Sequence, residues 1–317
     1  MLVDENGLEV VHVARGRTLA QATYEAWKIC FAKGVRVRSV KHAEGDSMAY
    51  DANIEAVVDE PFGELKIFTP GLPADDAALE AYRLEVVHGI HDHWVGHGWD
   101  YTYHDRIAPQ IPLIMEKIED TWLKKARITS RDFLMTTWRW EIDTKIDDPP
   151  CLQIVYLRLF PTSVENSYKL NFGVEFRSRD LGNAFWMNAY AFTSWQKYFV
   201  RLIESLLSKY GISIGIGRYV DHSKSLHFYG RDERIRHLPR TIERMNNESW
   251  EHFSMNTSDY FPEGRLIQIH HEIAAQLEYE KRTKGTEAYS PSPSKNQMDS
   301  VGINWRYFPY PKEWDDD

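Results

Sequence analysis

Cysteine is scarce in this chain, and long apolar runs are missing from it. The 317 residues include two cysteines, Cys30 and Cys151. Two cysteines are too few for the disulfide framework of a small secreted domain, so we expect a reducing, cytoplasmic setting. No segment has the pattern of a signal peptide, and no apolar run reaches the length of a membrane span. The sequence therefore predicts a soluble protein that does not bind membranes.

Positive charge is also in short supply. Lysine and arginine number 38 against 47 aspartates and glutamates, which leaves a net charge of −9. Nucleic-acid binding needs a basic surface that neutralises phosphates, so we do not expect it here. A small anionic ligand needs only a local arginine cluster. Hydrophobic residues make up 43% of the chain, enough for a substantial core.

The stretch from Pro149 to Asn188 places a cysteine, an arginine cluster and an asparagine close together in the chain. Its two prolines exclude a helix directly before Cys151. Residues 152–159 have the apolar, β-branched character of a buried strand, and a second strand, 169–176, leads into Arg177. If the two strands pair as an antiparallel hairpin, Arg177 lies beside Cys151.

A guanidinium beside a thiol favours the thiolate, which is the nucleophilic form of cysteine. Cys151 is therefore a candidate nucleophile, and the alternative is a small buried hydrophobic side chain. Cys30 has a different pattern, because it shares one helical face with Leu19, Ala22 and Ala26. We expect Cys30 in the core.

Several further motifs follow Cys151 in a fixed order. They are Arg177-Ser178-x-Asp180, then Asn188 eight residues beyond that aspartate, then His227-x-Tyr229. With Pro-Pro-Cys151, this series resembles the thymidylate synthase superfamily, which includes the phage pyrimidine-nucleotide hydroxymethylases, over about residues 15 to 235. Two segments are similar to the hydroxymethylase branch, and a third resembles archaeal-type members: Asp59-Glu-Pro-Phe62, Trp195-Gln-Lys-Tyr198 and Tyr101–Ile107.

The resemblance implies an α+β (α/β) fold, thymidylate synthase-like, with a mixed twisted sheet packed by helices in one large domain. We assign residues 1–282 to this catalytic domain. Residues 283–300, rich in lysine, serine and proline, are predicted to be a flexible connector. Residues 301–317 form an aromatic and acidic tail to which we assign no catalytic role.

The chemistry implied by the resemblance is one-carbon transfer from 5,10-methylenetetrahydrofolate to C5 of a pyrimidine nucleoside 5′-monophosphate, through a Cys151–C6 adduct. Hydride from the folate would give a methyl product, and water would give hydroxymethyl. The motifs favour hydroxymethylation. The alternatives are thymidylate synthase proper, a dCMP or CMP hydroxymethylase, and a catalytically inactive nucleotide-binding regulatory protein.

The resemblance also implies a phosphate site. Arg177 and Ser178 would bind the phosphate together with Arg131, which would reach across the interface of a homodimer. Most thymidylate synthases have a second arginine after this one, and this chain has Asp132 there. A loop after the first helix supplies another phosphate-binding arginine in the family, for which Arg36 and Arg38 are the candidates.

The remaining implied roles concern the folate, the base and the sugar. Asp180 would hold the pterin ring, and Asn188 would read the base, favouring a uridylate such as dUMP. His227 and Tyr229 would bind the sugar hydroxyl. A helical glutamate would organise proton transfers, with Glu85 as the first choice and Glu80 as the second; both could equally be solvent-facing helix charges.

Histidines cluster between His88 and His97, a spacing that can bind zinc. A zinc site needs further convergent ligands and a supporting shell, and no cysteine pair or His-Glu-x-x-His pattern accompanies these residues. We therefore expect no metal.

Overall fold

The computed structural model of the chain describes residues 9–37, 49–73, 75–229 and 233–315. Its strands are β1 (Val11–Gly16), β2 (Val35–Val37), β3 (Ala49–Val58), β4 (Ile67–Phe68), β5 (Leu134–Thr136), β6 (Leu152–Pro161), β7 (Ser167–Phe176), β8 (Arg179–Asp180), β9 (Ser213–Phe228) and β10 (Ser254–Met255). Its α-helices are α1 (Leu19–Lys33), α2 (Asp76–His88), α3 (Tyr103–Ile107), α4 (Ile111–Lys125), α5 (Trp140–Asp143), α6 (Phe185–Leu207), α7 (Glu233–Asn247), α8 (Thr257–Tyr260), α9 (Arg265–Thr283) and α10 (Lys295–Ser300). Among these helices, none is long and apolar enough to cross a bilayer.

Within the described residues, eight strands form one mixed sheet in the order β1-β3-β9-β7-β6-β5, with β2 paired to β3 and β8 paired to β9. The pairs β1–β3 and β7–β9 are parallel, whereas β3–β9, β6–β7 and β5–β6 are antiparallel. Helices α1 and α6 lie side by side against this sheet. The predicted fold class, a mixed sheet packed by helices, is confirmed.

Local sequence signals set the ends of α1 and α2. Thr18 caps α1 by accepting a hydrogen bond from the amide of Gln21, and Asp75 caps α2 by accepting one from Ala78 at 2.7 Å. Such caps satisfy amides that have no partner inside the helix. Gly89 ends α2 in the left-handed conformation, at φ +64°. The sequence predicts a helix capped by Thr18 that runs to about Lys33, and a second helix over residues 75–88 with an acidic first turn. Both observed helices match these spans to within about a residue.

The hairpin of β6 and β7 forms as predicted. Its register runs from Leu152 opposite Phe176 to Pro161 opposite Tyr168. Alternate side chains of both strands are buried because they face the helical layer. The hairpin therefore brings the start of β6 next to the end of β7.

Helix α6 runs through the core and is the longest helix described. Trp195 and Phe199 are fully buried on it. Gln196 is buried too, and its Nε2 donates hydrogen bonds to the carbonyls of Leu170 at 2.9 Å and Gly217 at 3.2 Å. These bonds join α6 to β7 and β9, so the first turns of α6 are held at a fixed place beside the strand ends.

Residues 133–140 have a strand-like sequence that predicts one continuous strand, and the structure differs from this prediction. Only Leu134–Thr136 is extended, and α5 begins at Trp140. The reason is a buried ion pair between Arg106 and Asp143, 2.9 Å apart. Asp143 also accepts a hydrogen bond from the Arg139 amide at 2.6 Å, which turns the chain away from the sheet.

The strands on either side of the Pro61–Gly63 turn do not pair with each other. β3 already lies between β1 and β9, so β4 pairs instead with β10 from the C-terminal part of the chain. β4 thereby ties residues near position 255 to the N-terminal half.

The C-terminal residues pack against the rest of the chain. α9 contacts α2, and Trp314 is buried, with its carbonyl accepting a hydrogen bond from Arg83 at 2.7 Å. The stretch 283–300 includes α10, which starts with a capping box at Ser294 and buries Met298. The domain boundaries at 282 and 300 stay a prediction.

Candidate active site

The start of β6 and the end of β7 bring Cys151 and Arg177 together. The Arg177 amide donates a hydrogen bond to the Cys151 carbonyl at 2.9 Å. The Arg177 guanidinium donates to the carbonyls of Pro149 at 2.7 Å and Pro150 at 3.1 Å. The carbonyls of the two prolines that precede Cys151 therefore hold the Arg177 guanidinium next to the start of β6.

The Cys151 thiol is half-buried and has polar neighbours. Its Sγ lies 3.9 Å from Ser178 Oγ. Burial raises the pKa of the Tyr101 and Tyr103 phenols, and the charge of a Cys151 thiolate acts on both in the same direction. Both phenols therefore stay protonated at neutral pH and can donate hydrogen bonds to a ligand beside the thiol.

Cys30 is in a different environment. It is fully buried, and its thiol donates to the Leu226 carbonyl at 3.4 Å. Burial raises the pKa of this thiol, which keeps it protonated and unreactive. Cys30 belongs to the core, as its helical spacing predicted.

Asp180 lies beside His227, because β8 pairs with the end of β9. Its Oδ1 accepts hydrogen bonds from the amides of Gly182 at 2.8 Å and Asn183 at 3.1 Å, and its Oδ2 accepts one from the Asn183 side chain at 2.8 Å. These bonds fold the turn that leads into α6. A carboxylate has about four acceptor sites, so Asp180 can still accept one more donor from a ligand.

Asn188 lies near the start of α6, is 7% exposed, and donates from Nδ2 to the Tyr82 hydroxyl at 2.7 Å. Tyr82 comes from α2, so this bond joins the two helices at the site. Burial raises the pKa of Tyr82, and the phenol stays neutral. The bond fixes which end of the Asn188 amide is free to meet a ligand.

His227 and Tyr229 lie together at the end of β9, with their rings edge to face and 4.5 Å apart. Nδ1 of His227 faces the Ser225 carbonyl at 3.2 Å. Nε2 is buried and, among the described residues, has no hydrogen-bond partner. A buried nitrogen of this kind can bind a ligand hydroxyl at little cost.

Glu85 lines a cavity of 320 Å³ together with Tyr82, Trp99, Tyr101 and Tyr103. Its Oε2 is 2.7 Å from His91 Nδ1, and the imidazole stacks on Trp94 with ring centroids 3.9 Å apart. Glu85 is thus a partly exposed acid held in place by a histidine.

Glu80, the second choice from sequence, is on the opposite side of α2. It pairs with Arg83 at 2.6 Å and with His270 at 2.6 Å, and its side chain is 1% exposed. Burial alone would raise the pKa of Glu80, but Arg83 and His270 outweigh burial and hold it below its usual value. Glu80 does not line the cavity that contains Glu85.

The other arginines are spread over the molecule. Arg131 is exposed between α4 and β5. Arg36 is on β2 with its guanidinium 4.1 Å from the Tyr50 ring, and Arg38 lies outside the described residues. Arg179 is buried in an ion pair with Asp221 and donates to Ser223 at 2.9 Å, so it supports the site from within the core.

Two histidines of the cluster and one histidine beyond it each pair with a different acid. His91 meets Glu85, His93 meets Glu280 at 2.9 Å, and the nearby His104 meets Asp92 at 2.6 Å. In the part of the chain that the structure describes, no three metal-ligating side chains converge on one point.

Three tyrosines of the site had no predicted role: Tyr82, Tyr101 and Tyr103. The motif Tyr101–Ile107 resembled archaeal-type family members, which was the available signal for two of them. Tyr82 has no such signal, because only the packing of α2 on α6 brings it to Asn188.

Comparison with known proteins shows which proteins the chain is similar to. No protein-family model matches the chain. A "Putative thymidylate synthase" of Methanosarcina mazei is 25% identical over 240 residues, which are 72% of this chain and 94% of that protein. A protein of the same name from Methanosarcina acetivorans is 23% identical over 238 residues, with the same coverage of 72% and 94%. Another, from Methanococcoides burtonii, is 24% identical over 228 residues, or 69% of this chain and 89% of that protein.

Among solved structures, thermostable thymidylate synthase A from Bacillus subtilis matches with a TM-score of 0.46 and 15% sequence identity. The match covers 71% of this chain and 84% of that chain. The curated sequence matches span nearly the whole length of the relatives and agree with the motif order, so the chain is a distant relative of these putative thymidylate synthases.

Proposed function

We propose that the protein transfers a one-carbon unit from 5,10-methylenetetrahydrofolate to C5 of a pyrimidine nucleoside monophosphate, with Cys151 as the nucleophile. The observation that carries the proposal is the convergence of Cys151, Arg177 and Ser178 at the joined ends of β6 and β7. A half-exposed thiol beside a guanidinium and a hydroxyl has the surroundings that a nucleophilic cysteine needs.

The base would bind between Cys151 and Asn188. Addition of the Cys151 sulfur to C6 moves the electron pair of the C5–C6 bond to C5, which becomes the nucleophile. Asn188 offers a donor and an acceptor to the ring edge, and we favour uracil over cytosine. His227 Nε2 and the Tyr229 hydroxyl would meet the sugar hydroxyl, and Arg177 and Ser178 the phosphate.

The residues fit a bound folate. The cavity beside Glu85 has the aromatic walls that a flat pterin needs, formed by Trp99 and Tyr101. Asp180 has one acceptor site left for a ring N–H. Methylenetetrahydrofolate, when bound, supplies the one-carbon unit. Glu85, held by His91, would move the protons to and from the pyrimidine.

The product would carry hydroxymethyl at C5, because the Asp59–Phe62 and Trp195–Tyr198 segments are similar to the hydroxymethylase branch. A specific observation favours the second candidate, reductive methylation: the curated relatives carry the name thymidylate synthase. The two products differ by one oxygen atom, so the mass of the product from dUMP and methylenetetrahydrofolate distinguishes them.

A homodimer would complete the phosphate site. Arg131 is exposed and distant in the chain from the phosphate-binding residues, which suits a role in a partner's site. On the edge strand β1, Val11 and Val13 are 57% and 59% exposed, and apolar side chains of this kind favour an interface. The cytoplasmic setting is part of the same proposal, and both cysteines are free thiols.

Release of tritium from dUMP labelled at C5 tests the nucleophile. Exchange at C5 needs addition of sulfur at C6, and 5-fluoro-dUMP with methylenetetrahydrofolate should trap the protein covalently. Cys151→Ala should abolish both signals, whereas Cys30→Ala, the matched control, should retain them. Trapping of the Cys151→Ala variant, or no trapping of the wild type, contradicts the proposal. Binding of dUMP by the wild type without exchange would identify an inactive nucleotide-binding protein instead.

A further inference from the structure

A second cavity lies across the α2–α6 pair from Cys151. Its volume is 520 Å³, within the usual range for small-molecule sites. Glu80 and Arg83 of α2 line it, and they point away from the side that carries Tyr82 and Glu85. The cavity is therefore separate from the candidate active site.

Lys66 points into this cavity and is 5% exposed. Its ammonium lies between two aromatic rings, 4.4 Å from the centroid of Phe62 and 4.5 Å from that of Tyr190. Within the described residues, no carboxylate or other acceptor forms a hydrogen bond or ion pair with it. Charged side chains are rarely buried without a partner.

The other charges around the cavity are engaged elsewhere. Glu80 pairs with Arg83 and His270, and His270 also meets Asp315 at 3.1 Å. Glu64 uses Oε2 to accept hydrogen bonds from the backbone amides of Lys66 and Thr257, both at 3.1 Å. An anion that entered the cavity would find the Lys66 ammonium available.

We propose that this cavity binds a small carboxylate with an apolar or aromatic body, anchored by the Lys66 ammonium. The rings of Phe62 and Tyr190 would keep the ammonium in place and pack against the apolar part of the ligand next to its carboxylate. Leu266, Ile267 and Trp314 supply the apolar wall for the body of the ligand. The Lys66 ammonium carries a single charge, which suits a monoanion better than a phosphate dianion.

Binding at this site depends on pH. The pKa of Lys66 is lowered to about 7, mainly by burial, with Glu64 opposing the shift and Lys197 and Arg83 adding to it. The other titratable groups that line the cavity are Glu80, Tyr190, His270 and Asp315. Because the anion binds the charged amine, affinity should be greatest below pH 7 and should fall about tenfold per pH unit above it.

Titration calorimetry with benzoate as the probe tests the site. At pH 6 the protein should bind one benzoate, and benzamide, a neutral molecule of the same shape, should bind at least tenfold more weakly. At pH 8 binding should take up close to one proton, seen as a heat that depends on the ionisation enthalpy of the buffer. This measurement needs only the wild-type protein. Saturating dUMP should leave benzoate binding unchanged.

The matched variants are Lys66→Met and Lys28→Met. Lys28 also lies over a tyrosine ring, 5.1 Å from the centroid of Tyr24, but outside the cavity. Lys66→Met should lose benzoate binding, and Lys28→Met should keep it. The proposal is overturned if the wild type does not bind benzoate, binds benzamide equally well or binds inorganic phosphate more tightly. It is also overturned if dUMP displaces benzoate or if Lys66→Met still binds benzoate.

Discussion

At the scale of single residues, the hydroxyl of Tyr82 holds the side chain of Asn188, the residue that we propose binds the base. Tyr82→Phe removes the 2.7 Å bond and frees the Asn188 amide to rotate. A neutral hydrogen bond contributes about 1 kcal/mol, so kcat/KM for the nucleotide should fall about fivefold. Steady-state kinetics measures this. Tyr210→Phe is the control, because its hydroxyl bonds to Glu119 at 2.9 Å away from the site. An equal loss in both variants would contradict the assigned role.

Lys66 should make stability depend on pH. Its pKa is about 7 in the folded chain against about 10.5 when unfolded. Between these values the unfolded chain binds more protons, so the wild type gains stability as pH rises through the window. Lys66→Met should therefore be the more stable protein near pH 7, and its advantage should shrink by about 1.4 kcal/mol per pH unit up to pH 10.

Urea unfolding of the wild type and Lys66→Met at several pH values measures this difference, and effects of other titrating groups cancel in the comparison. Lys28→Met should show no pH-dependent difference. An advantage of Lys66→Met that stays constant from pH 7 to pH 10 would show that Lys66 is charged when folded.

At the scale of elements, α2 separates two acids that its sequence leaves equivalent. Glu85 faces the aromatic cavity, and Glu80 is buried in ion pairs with Arg83 and His270. Glu85→Gln should slow C5 tritium release about 100-fold, since proton transfer loses its acid. The same change should leave the free energy of unfolding nearly unchanged.

Glu80→Gln is the matched variant on the same helix. It should lower the free energy of unfolding by about 3 kcal/mol, because it leaves the buried Arg83 without its carboxylate. Tritium release per folded molecule should be unaffected. A catalytic defect in Glu80→Gln alone would show that proton transfer depends on Glu80 and not on Glu85.

At the scale of the whole molecule, the proposed homodimer makes each site depend on two chains. Mixing inactive Cys151→Ala with Arg131→Ala should restore activity, because a mixed dimer has one site with both residues intact. Random exchange of subunits predicts recovery of about a quarter of wild-type activity. Cys151→Ala mixed with Cys151→Ser should recover none. If subunits exchange but the mixture of Cys151→Ala and Arg131→Ala recovers no activity, Arg131 acts in the site of its own chain or in no site.

The sequence by itself determined the features that depend on neighbours in the chain. Thr18 and Asp75 predicted two helix starts because capping is local, and the apolar alternation of 152–159 and 169–176 predicted the hairpin that joins Arg177 to Cys151. The strand predicted after Phe133 was shorter than expected, because the partner that turns the chain at Asp143 is Arg106, more than thirty residues away.

Only the tertiary structure decided which side chains share a cavity. The packing of α2 on α6 brings Tyr82 to Asn188, puts Glu85 and Glu80 on opposite sides, and encloses Lys66 between rings from two segments. These outcomes depend on how the faces of two helices meet. The periodicity of a helix identifies its buried face, but it does not specify which residues of another helix that face will contact. A local pattern specifies an element and its buried face, whereas contacts between elements depend on the shape of the whole core.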